Sequence, residues 1–405
     1  MLDPAILFSS VLNGLTTGAV YALIALGLTL IYGVLHIINF AHGAALMVAL
    51  YAVYLLKDRL GIDPYAALPL VVAGMFALGY ALQRYVINRA SHGKDENILL
   101  VTLGLAIVLE NLALVWFKSD TRTIDTAYTL STVEIGPAMI ALPKIIAFCG
   151  ALAVAAVLFW IIRSTDLGRA IRAVAKEKQG AKLMGIDVEK VYALSFGIGM
   201  ACLGAAACFL LPAYYVNPQV GGGFVLVAFT IVVLGGMGSF VGALVGGLLI
   251  GVVESIGGLF LGDSLGQMAY SRFSSRCCCF ARRGCSGRGA EHGQGSFDYR
   301  AVRRGVGGRR RADGVGRRPD LRDDVAVRGA AVAGWNILGG YGGQLSFGHA
   351  LFFGVGAYAQ ALGQLNLGIN PWLALPMAIA LGALVGLAVG GLTFRYGLKA
   401  PISRW

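Results

Sequence analysis

Three polar side chains that could form hydrogen bonds lie within a long apolar stretch, Gly27 to Ala52. They are His36, Asn39 and His42. Polar groups at the depth of a membrane helix are costly to bury, and they usually face a bundle interior or a cavity. Glycines in the same stretch allow helices to pack closely or to break. Two interpretations follow: packed helices with polar contacts between them, or a broken helix that lines a translocation path.

A further ionisable side chain, Glu110, lies inside the apolar segment Ile98–Phe117. An acidic residue within a membrane span is a functional candidate by default, so Glu110 joins the candidate path residues. Its position near the end of the segment also fits an interfacial, solvated carboxylate. Both interpretations stay open at this stage.

The sequence contains no familiar pattern for catalysis. A GxxxxGK[ST] phosphate loop, an HExxH pair and a GxSxG turn are all absent. We therefore predict no catalytic residues, no metal site and no cofactor. The chain cannot bind ATP in the usual Walker manner.

The composition identifies the class of protein. Of 405 residues, 57% are hydrophobic and 13% are charged, and the mean hydropathy is +0.72. Soluble domains carry about 25% charged residues. Apolar windows of about 20 residues, the length that crosses a bilayer, recur along the chain. The sequence predicts an all-α polytopic membrane protein embedded in a lipid bilayer, with seven to eight helices in a first module.

Polar connectors predict how the first module crosses the membrane. Gln83–Glu96, Lys118–Lys144 and Arg163–Lys190 separate the apolar segments, and the last has seven basic residues against four acids. Because cytoplasmic loops are enriched in Lys and Arg, we place the first and last connectors inside and Lys118–Lys144 outside. Farther on, two short helices joined by a turn at Gly235–Ser239 fit the apolar run Phe224–Leu261, whose only charge is Glu254.

The last connector has a helical apolar pattern. Leu167, Ile171 and Val174 recur with the spacing of an amphipathic helix. A second apolar set follows Gly180 and consists of Ala181, Leu183, Met184 and Ile186. A solvated basic linker would not need these side chains. The pattern favours a surface that docks a cytoplasmic partner.

The Gly27–Ala52 stretch occurs a second time, at Gly334–Ala359. Without a gap, His42 matches His349, Phe40 matches Phe347, and Ser346 replaces Asn39. Self-similarity at this separation indicates two related modules. We expect the second module, residues 330–405, to be truncated, with two or three helices.

Between the modules, residues 271–329 differ in character. Arg272–Arg328 contains fifteen Arg, no Lys and four of the seven cysteines. A basic arm that binds nucleic acid or anionic lipid is one interpretation, and a metal cluster is another. The absence of Lys and of CxxC spacing argues against both. We favour a third, a shift of coding frame that leaves an aberrant, disordered linker and no nucleic-acid partner.

Three strings in residues 1–270 carry a family resemblance. They are Asn13–Gly43, Thr165–Asp187 and Val233–Ser255. This part resembles the H-type (LivH-type) permease subunit of bacterial ABC importers for branched-chain amino acids. Residues 330–405 resemble the start of the partner M-type (LivM-type) permease.

The resemblance implies a permease bundle with broken helices in the bacterial inner membrane. It implies four partners: an M-type permease, two ATP-binding subunits and a periplasmic amino-acid-binding protein. Asn39, Phe40 and His42 fall in the family's broken-helix motif near the path. Thr165–Asp187 matches the family's coupling segment, with the positions Gly168, Arg169, Arg172, Ala181, Leu183, Met184 and Gly185.

Competing functions remain open. An ABC permease for urea, short amides or simple sugars would share the glycine and helix pattern, because no residue here reads a cargo side chain. A secondary transporter or channel would also use repeats and broken helices. The inside loop argues against that class, and the resemblance favours import of leucine, isoleucine or valine.

Overall fold

The computed structural model describes residues 4–37, 39–91, 95–126, 128–129, 131–135, 138–261, 349–367 and 370–395. The chain divides into two compact units, Met1–Ser286 and Gly287–Trp405. The predicted linker 271–329 and most of the second copy of the repeated motif lie outside the described residues.

The first unit is a bundle of long apolar helices. Their bounds are α1 Pro4–Leu35, α2 Ala41–Leu60, α3 Leu68–Ala81, α4 Asn88–Ser91, α5 Asp95–Phe117, α6 Leu142–Ser164, α7 Asp166–Lys176, α8 Lys178–Leu183, α9 Val188–Leu210, α10 Val220–Gly235 and α11 Phe240–Leu261. Six helices of the described chain are long and apolar enough to cross a membrane. The protein is a multi-pass, all-α membrane protein, as predicted.

The core of this unit consists of α1, α2 and α9. Most residues of α2 from Ala41 to Val53 are buried, and so are most of those of α9. Outward positions of α5 and α6, such as Trp116 and Trp160, are apolar and exposed. The bundle thus presents apolar side chains on its periphery, as a protein surrounded by lipid does.

Close backbone contacts hold the core helices together. A Cβ atom added at Gly18 would lie 2.8 Å from the carbonyl oxygen of Gly247, so α1 and α11 approach each other at glycines. At Gly43 an added Cβ would lie only 2.3 Å from the carbonyl oxygen of Gly221, where α2 meets α10. Small residues at such crossings let membrane helices reach van der Waals contact.

One predicted connector is mostly helical. Residues Leu82–Ile87 continue α3 as a π-helix that leads directly into α4. Gln83 is buried, and its amide nitrogen donates to Asn88 Oδ1 at 2.9 Å. The prediction that Gln83–Glu96 is a polar connector is therefore wrong for residues up to Ser91, because these residues continue the helix and Gln83 donates to Asn88 within it.

The turn between α10 and α11 lies where it was predicted. Gly236 and Gly238 have φ angles of 87° and 88°, in the left-handed region that glycine adopts without strain. The Ser239 side chain accepts a hydrogen bond from the amide of Gly242 and so starts α11. The apolar run is thereby split into two helices.

The ends of α9 define the two sides of the bundle. Its first residue follows α8, and its last leads into a 3₁₀ turn at Leu211–Ala213. On that second side, here called the far side, Arg122 and Val216 pair through backbone hydrogen bonds. A hairpin of β1 (Thr132–Ile135) and β2 (Ala138–Ala141) precedes α6 and was not predicted.

The second unit contains two described helices, α12 (His349–Leu367) and α13 (Pro371–Arg395), which pack on each other. Gly363 contacts Met377 at their crossing. The Tyr358 residue is 74% exposed. Its counterpart in the repeat, Tyr51, is buried and stacks on Phe117 at 4.0 Å in the first unit.

The contact at Gly43 leads to a stability prediction. Gly43→Ala forces the backbones of α2 and α10 apart, and overpacking of this kind costs about 1–3 kcal/mol. We expect the midpoint of thermal aggregation in detergent to fall by several degrees. The matched control is Gly74→Ala in α3, where an added Cβ meets nothing within 4 Å. That variant should be neutral or more stable, and equal midpoints for the two would contradict the argument.

Candidate functional site

The chain breaks between α1 and α2, within the stretch that carries the polar side chains. His36 has a φ angle of 56°, in the left-handed region that few residues other than glycine adopt. Its amide still donates to the carbonyl of Tyr32 at 2.7 Å, so α1 ends here with a bonded turn. The structure thus shows two helices separated by a break. That this break lines a translocation path stays a prediction.

Asn39 starts the next helix. Its side chain is buried, and Oδ1 accepts a hydrogen bond from the amide of Ala41 at 3.0 Å. Phe40, which is half-buried, is the residue immediately before α2. The carboxamide thus satisfies one of the amides that a helix start leaves without an intrahelical partner.

His42 connects the new helix to the middle of α1. The side chain is fully buried, and Nε2 lies 3.0 Å from the carbonyl oxygen of Ile24. A carbonyl only accepts, so Nε2 carries the proton and Nδ1 is the acceptor nitrogen of a neutral ring. Because Ile24 lies well inside α1, the chain has returned from the end of α1 to its midpoint when α2 begins.

Two buried polar atoms at the break have no partner among the described residues. They are Asn39 Nδ2, a donor, and His42 Nδ1, an acceptor. Buried polar groups are nearly always hydrogen-bonded in native proteins, so exceptions need an explanation. A donor and an acceptor are thus both unused at the break.

Glu110 belongs to a different helix from the other three predicted path residues. It is half-buried on α5, one turn beyond Ala106, which packs against Ala41 and Ala44. Among the described residues no hydrogen bond or ion pair involves its carboxylate. The structure therefore brings Asn39, Phe40 and His42 together and places Glu110 on the neighbouring helix.

The connector after α6 folds as predicted into an amphipathic helix, α7. Ile171 and Val174 are buried and Leu167 is half-buried. The Thr165 hydroxyl caps the helix by accepting from the amide of Gly168 at 3.1 Å. Gly168 has no room for a side chain, since an added Cβ would overlap the carbonyl of Ile162.

Two arginines of α7 have different surroundings. Arg172 donates to the carbonyl oxygen of Ile162, which ties α7 to the end of α6. Arg169 is exposed and pairs with Asp166 on the same helix. Exposed pairs of this kind contribute little to stability, so Arg172 is the one that fixes the position of α7.

The short helix α8 exposes its apolar end. Ala181 is buried, but Leu183 is 88% exposed and Met184 is 83% exposed. Gly185, with a φ angle of 81°, ends the helix just after this pair. Two adjacent large apolar side chains, here called the apolar tip, are thus exposed at a helix end outside the membrane spans.

Residue Asp187 secures the segment to α9. Oδ1 accepts from the amide of Lys190 at 3.1 Å, and Oδ2 pairs with the Lys190 ammonium at 3.0 Å. These contacts lower the pKa of the Asp187 carboxyl below its usual value. Asp187 and Lys190 also line a cavity of about 380 Å³ together with Arg84, Tyr85, Asn88, Arg89 and Glu189.

Sequence reasoning missed two features near these sites. The sequence predicts a connector where the cavity-lining residues of α4 lie. Glu254, the only charge in its apolar run, is not among the predicted site residues. The rule that singled out Glu110, that an acid inside an apolar span is a functional candidate, applies to Glu254 equally.

These features define a class of protein: a polytopic membrane protein with a helix break in its core and an exposed apolar tip, Leu183 and Met184, at one side. A family profile described as the permease component of the branched-chain amino acid transport system matches residues 10–273 and 325–404. The chain belongs to that family. It is a family of transport permeases and not of enzymes.

Similar proteins have names of the same kind. The permease protein BraD of a high-affinity branched-chain amino acid transport system in Pseudomonas aeruginosa is 34% identical over 265 residues, which are 62% of this chain and 86% of BraD. LivH of Salmonella typhimurium is 34% identical over 266 residues, 62% of this chain and 85% of LivH. A probable LivH of Methanocaldococcus jannaschii is 29% identical over 280 residues, 66% and 83% of the two chains. No solved structure matches.

The contacts of Asp187 predict how acid affects the α7–α8 segment. A folded-state pKa below the unfolded value means that the stabilisation is present above the unfolded pKa and is lost as the pH falls through the folded pKa. We expect protease sensitivity between α8 and α9 to rise below about pH 4 in the wild type.

Two variants separate the hydrogen bond that Asp187 accepts from the Lys190 amide from the negative charge of its carboxylate. Asp187→Asn keeps the acceptor for the Lys190 amide and should show no such pH dependence. Asp187→Ala loses both contacts and should be sensitive at every pH. Limited proteolysis of the protein in detergent measures both, and the same pH profile for Asp187→Asn and wild type would contradict the prediction.

Proposed function

We propose that the chain is the membrane-spanning permease subunit of an ATP-driven importer for the branched-chain amino acids leucine, isoleucine and valine. The family and the names of the relatives support the cargo class. The observation that carries the ATP-driven part is the exposed pair Leu183 and Met184 at the end of α8, on a segment rich in Lys and Arg. A permease that takes energy from separate ATPases needs such a docking point.

The same reasoning supports the side on which the ATPases bind. The α7–α8 segment, Thr165–Asp187, carries the basic excess that is typical of cytoplasmic loops. We therefore place it in the cytoplasm and the protein in a bacterial inner membrane. Two ATP-binding subunits then dock from the cytoplasm, one of them on this chain and the other on an M-type permease. A periplasmic binding protein delivers the amino acid at the far side.

The contacts of α7 supply a mechanical link to the break. It packs on α1 and α9 as well as on α6. The His42 side chain bonds α1, and an added Cβ at Gly27 would lie 2.6 Å from Gly199 of α9. A force applied to Leu183 and Met184 is therefore transmitted to the helices that surround the break. ATP binding can then change which side of the membrane the break faces.

The path residues have complementary roles in this proposal. Asn39 Nδ2 and His42 Nδ1 offer a donor and an acceptor to the polar end of a passing amino acid. The half-buried ring of Phe40 supplies apolar surface beside them. Glu110 on α5 is retained as a path residue, close to the helices that form the break.

We also propose the domain division that the sequence suggested. Residues 1–270 form the H-type module and residues 330–405 begin an M-type module. The family match omits residues 274–324, which supports an aberrant linker at 271–329. An intact M-type subunit from another gene would then complete the importer. Sequencing the coding DNA tests the proposed frame shift.

The docking proposal predicts the effect of removing the apolar tip. Leu183→Ser with Met184→Ser deletes the exposed side chains without touching buried ones. We expect recovery of the two ATPase subunits in a detergent pull-down to fall at least tenfold. The matched control is Leu60→Ser. Leu60 is 65% exposed and lies at the other end of the bundle. Unchanged recovery with the double variant would refute the docking surface.

Transport tests the cargo and the path together. The importer reconstituted in proteoliposomes, with ATP on the membrane side that carries α7 and α8, should transport leucine but not urea. His42→Leu keeps the volume of the core and removes both ring nitrogens, while the Ile24 carbonyl keeps its helical bond. We expect normal assembly and ATPase recovery with uptake reduced at least tenfold. Uptake at the wild-type rate would exclude His42 from the path, and uptake of urea would favour the alternative cargo.

A further inference from the structure

The α11 helix carries a carboxylate on its buried face. Glu254 lies three and four residues after Gly251 and Ile250, and both of these are buried against the bundle. It therefore points toward α1 and α10 and not toward the exposed positions Val245 and Leu249. The Tyr21 hydroxyl of α1 hydrogen-bonds the carboxyl group.

The Tyr21 ring that bonds this carboxyl group belongs to a cluster of aromatic rings. Tyr21 and Phe224 meet edge to face with ring centres 5.9 Å apart, and Phe224 meets Tyr214 in the same way at 5.6 Å. Tyr214 stacks on Tyr215 at 4.4 Å. The cluster combines a carboxyl group with aromatic rings, and an ionised carboxylate and a ring face each attract a cation.

One oxygen of the carboxylate is unused. The Oε2 atom of Glu254 is buried and has no hydrogen-bond partner among the described residues. No ion pair of the described chain involves Glu254 either. An ionised carboxylate is costly in a membrane bundle, so a cation that binds at the unused oxygen would stabilise the charged form.

The cluster lies between the far side and the break. Tyr214 and Tyr215 follow the far end of α9 and are partly exposed. Tyr21 lies one turn before Ile24, whose carbonyl holds His42. A small molecule that enters from the far side would meet the tyrosines first, then Glu254, and then the polar atoms of the break.

We infer that Glu254, Tyr21, Phe224 and Tyr214 form a site for the primary ammonium group of a small apolar amino acid. This inference rests on the proposed function, and it identifies where the cargo first binds the permease. The ammonium donates to Glu254 Oε2 and lies against the rings, while the aliphatic side chain contacts the apolar faces of Phe224 and Tyr214.

The experiment measures binding to the full chain in nanodiscs by saturation-transfer NMR. Three probes separate the chemistry: L-leucine, 3-methylbutylamine, which lacks the carboxylate, and 4-methyl-2-oxopentanoate, which lacks the ammonium. We expect signals from leucine and the amine and none from the keto acid. Glu254→Gln, which keeps the size and removes the charge, should weaken both signals at least tenfold.

Two further variants make the outcome decisive. Glu254→Asp keeps the charge and should retain weaker binding, while Glu134→Gln on the exposed strand β1 removes a carboxylate elsewhere and should bind as wild type. The inference is overturned if Glu254→Gln binds leucine as wild type does, if the keto acid binds equally, or if the wild type gives no signal. A Glu254→Gln protein that is monodisperse on gel filtration excludes misfolding as the cause.

Leucine uptake by the reconstituted importer distinguishes this inference from the proposed function. If the wild type takes up no leucine, the proposed function is wrong whatever Glu254 does. If the wild type takes up leucine and Glu254→Gln does so equally at limiting leucine, only the ammonium site is wrong. Both ideas hold if uptake by wild type is normal and uptake by Glu254→Gln falls at least tenfold.

Discussion

The close packing of the start of α2 on the middle of α1, where His42 meets the carbonyl of Ile24, sets the geometry on which the rest of the first unit depends. A helix that stops within an apolar bundle exposes backbone amides and carbonyls that lipid cannot satisfy. Here the ring of His42 fastens the start of α2 to the middle of α1, and Asn39 bonds the first amide of the new helix. The chain can then re-enter the core without leaving the bundle.

Tight packing makes this arrangement stiff enough to transmit force. Glycines at the crossings of α1 with α11 and of α2 with α10 bring backbones into direct contact, so one helix cannot shift without its neighbour. The α7–α8 segment is bonded at both ends, by Arg172 to α6 and by Asp187 to α9. Motion imposed at its tip therefore reaches the core and is not absorbed in a loose loop.

The parts of this structure that could be predicted are those where the residue types differ from the neighbouring sequence. Polar residues in an apolar stretch indicated the break, and apolar residues in a basic connector indicated α7 and α8. The sequence did not predict the π-helix, in which the amide nitrogen of Gln83 donates to Asn88 five residues on, a contact that no periodic pattern reveals. Nor could it group Tyr21, Tyr214 and Glu254, which are far apart in the chain and meet only through the packing of α1, α10 and α11.

The two copies of the repeated motif show that the burial of a motif residue depends on helices outside the motif. Tyr51 and Tyr358 occupy the same position in the two copies, yet the first is buried and the second is exposed. The ring that covers Tyr51 is Phe117, which comes from α5 and not from the motif. In the described part of the second unit, only α13 packs against α12. A copy of the motif therefore provides side chains for a permease core. Helices that follow the motif, as α5 does in the first unit, must pack against those side chains to bury them.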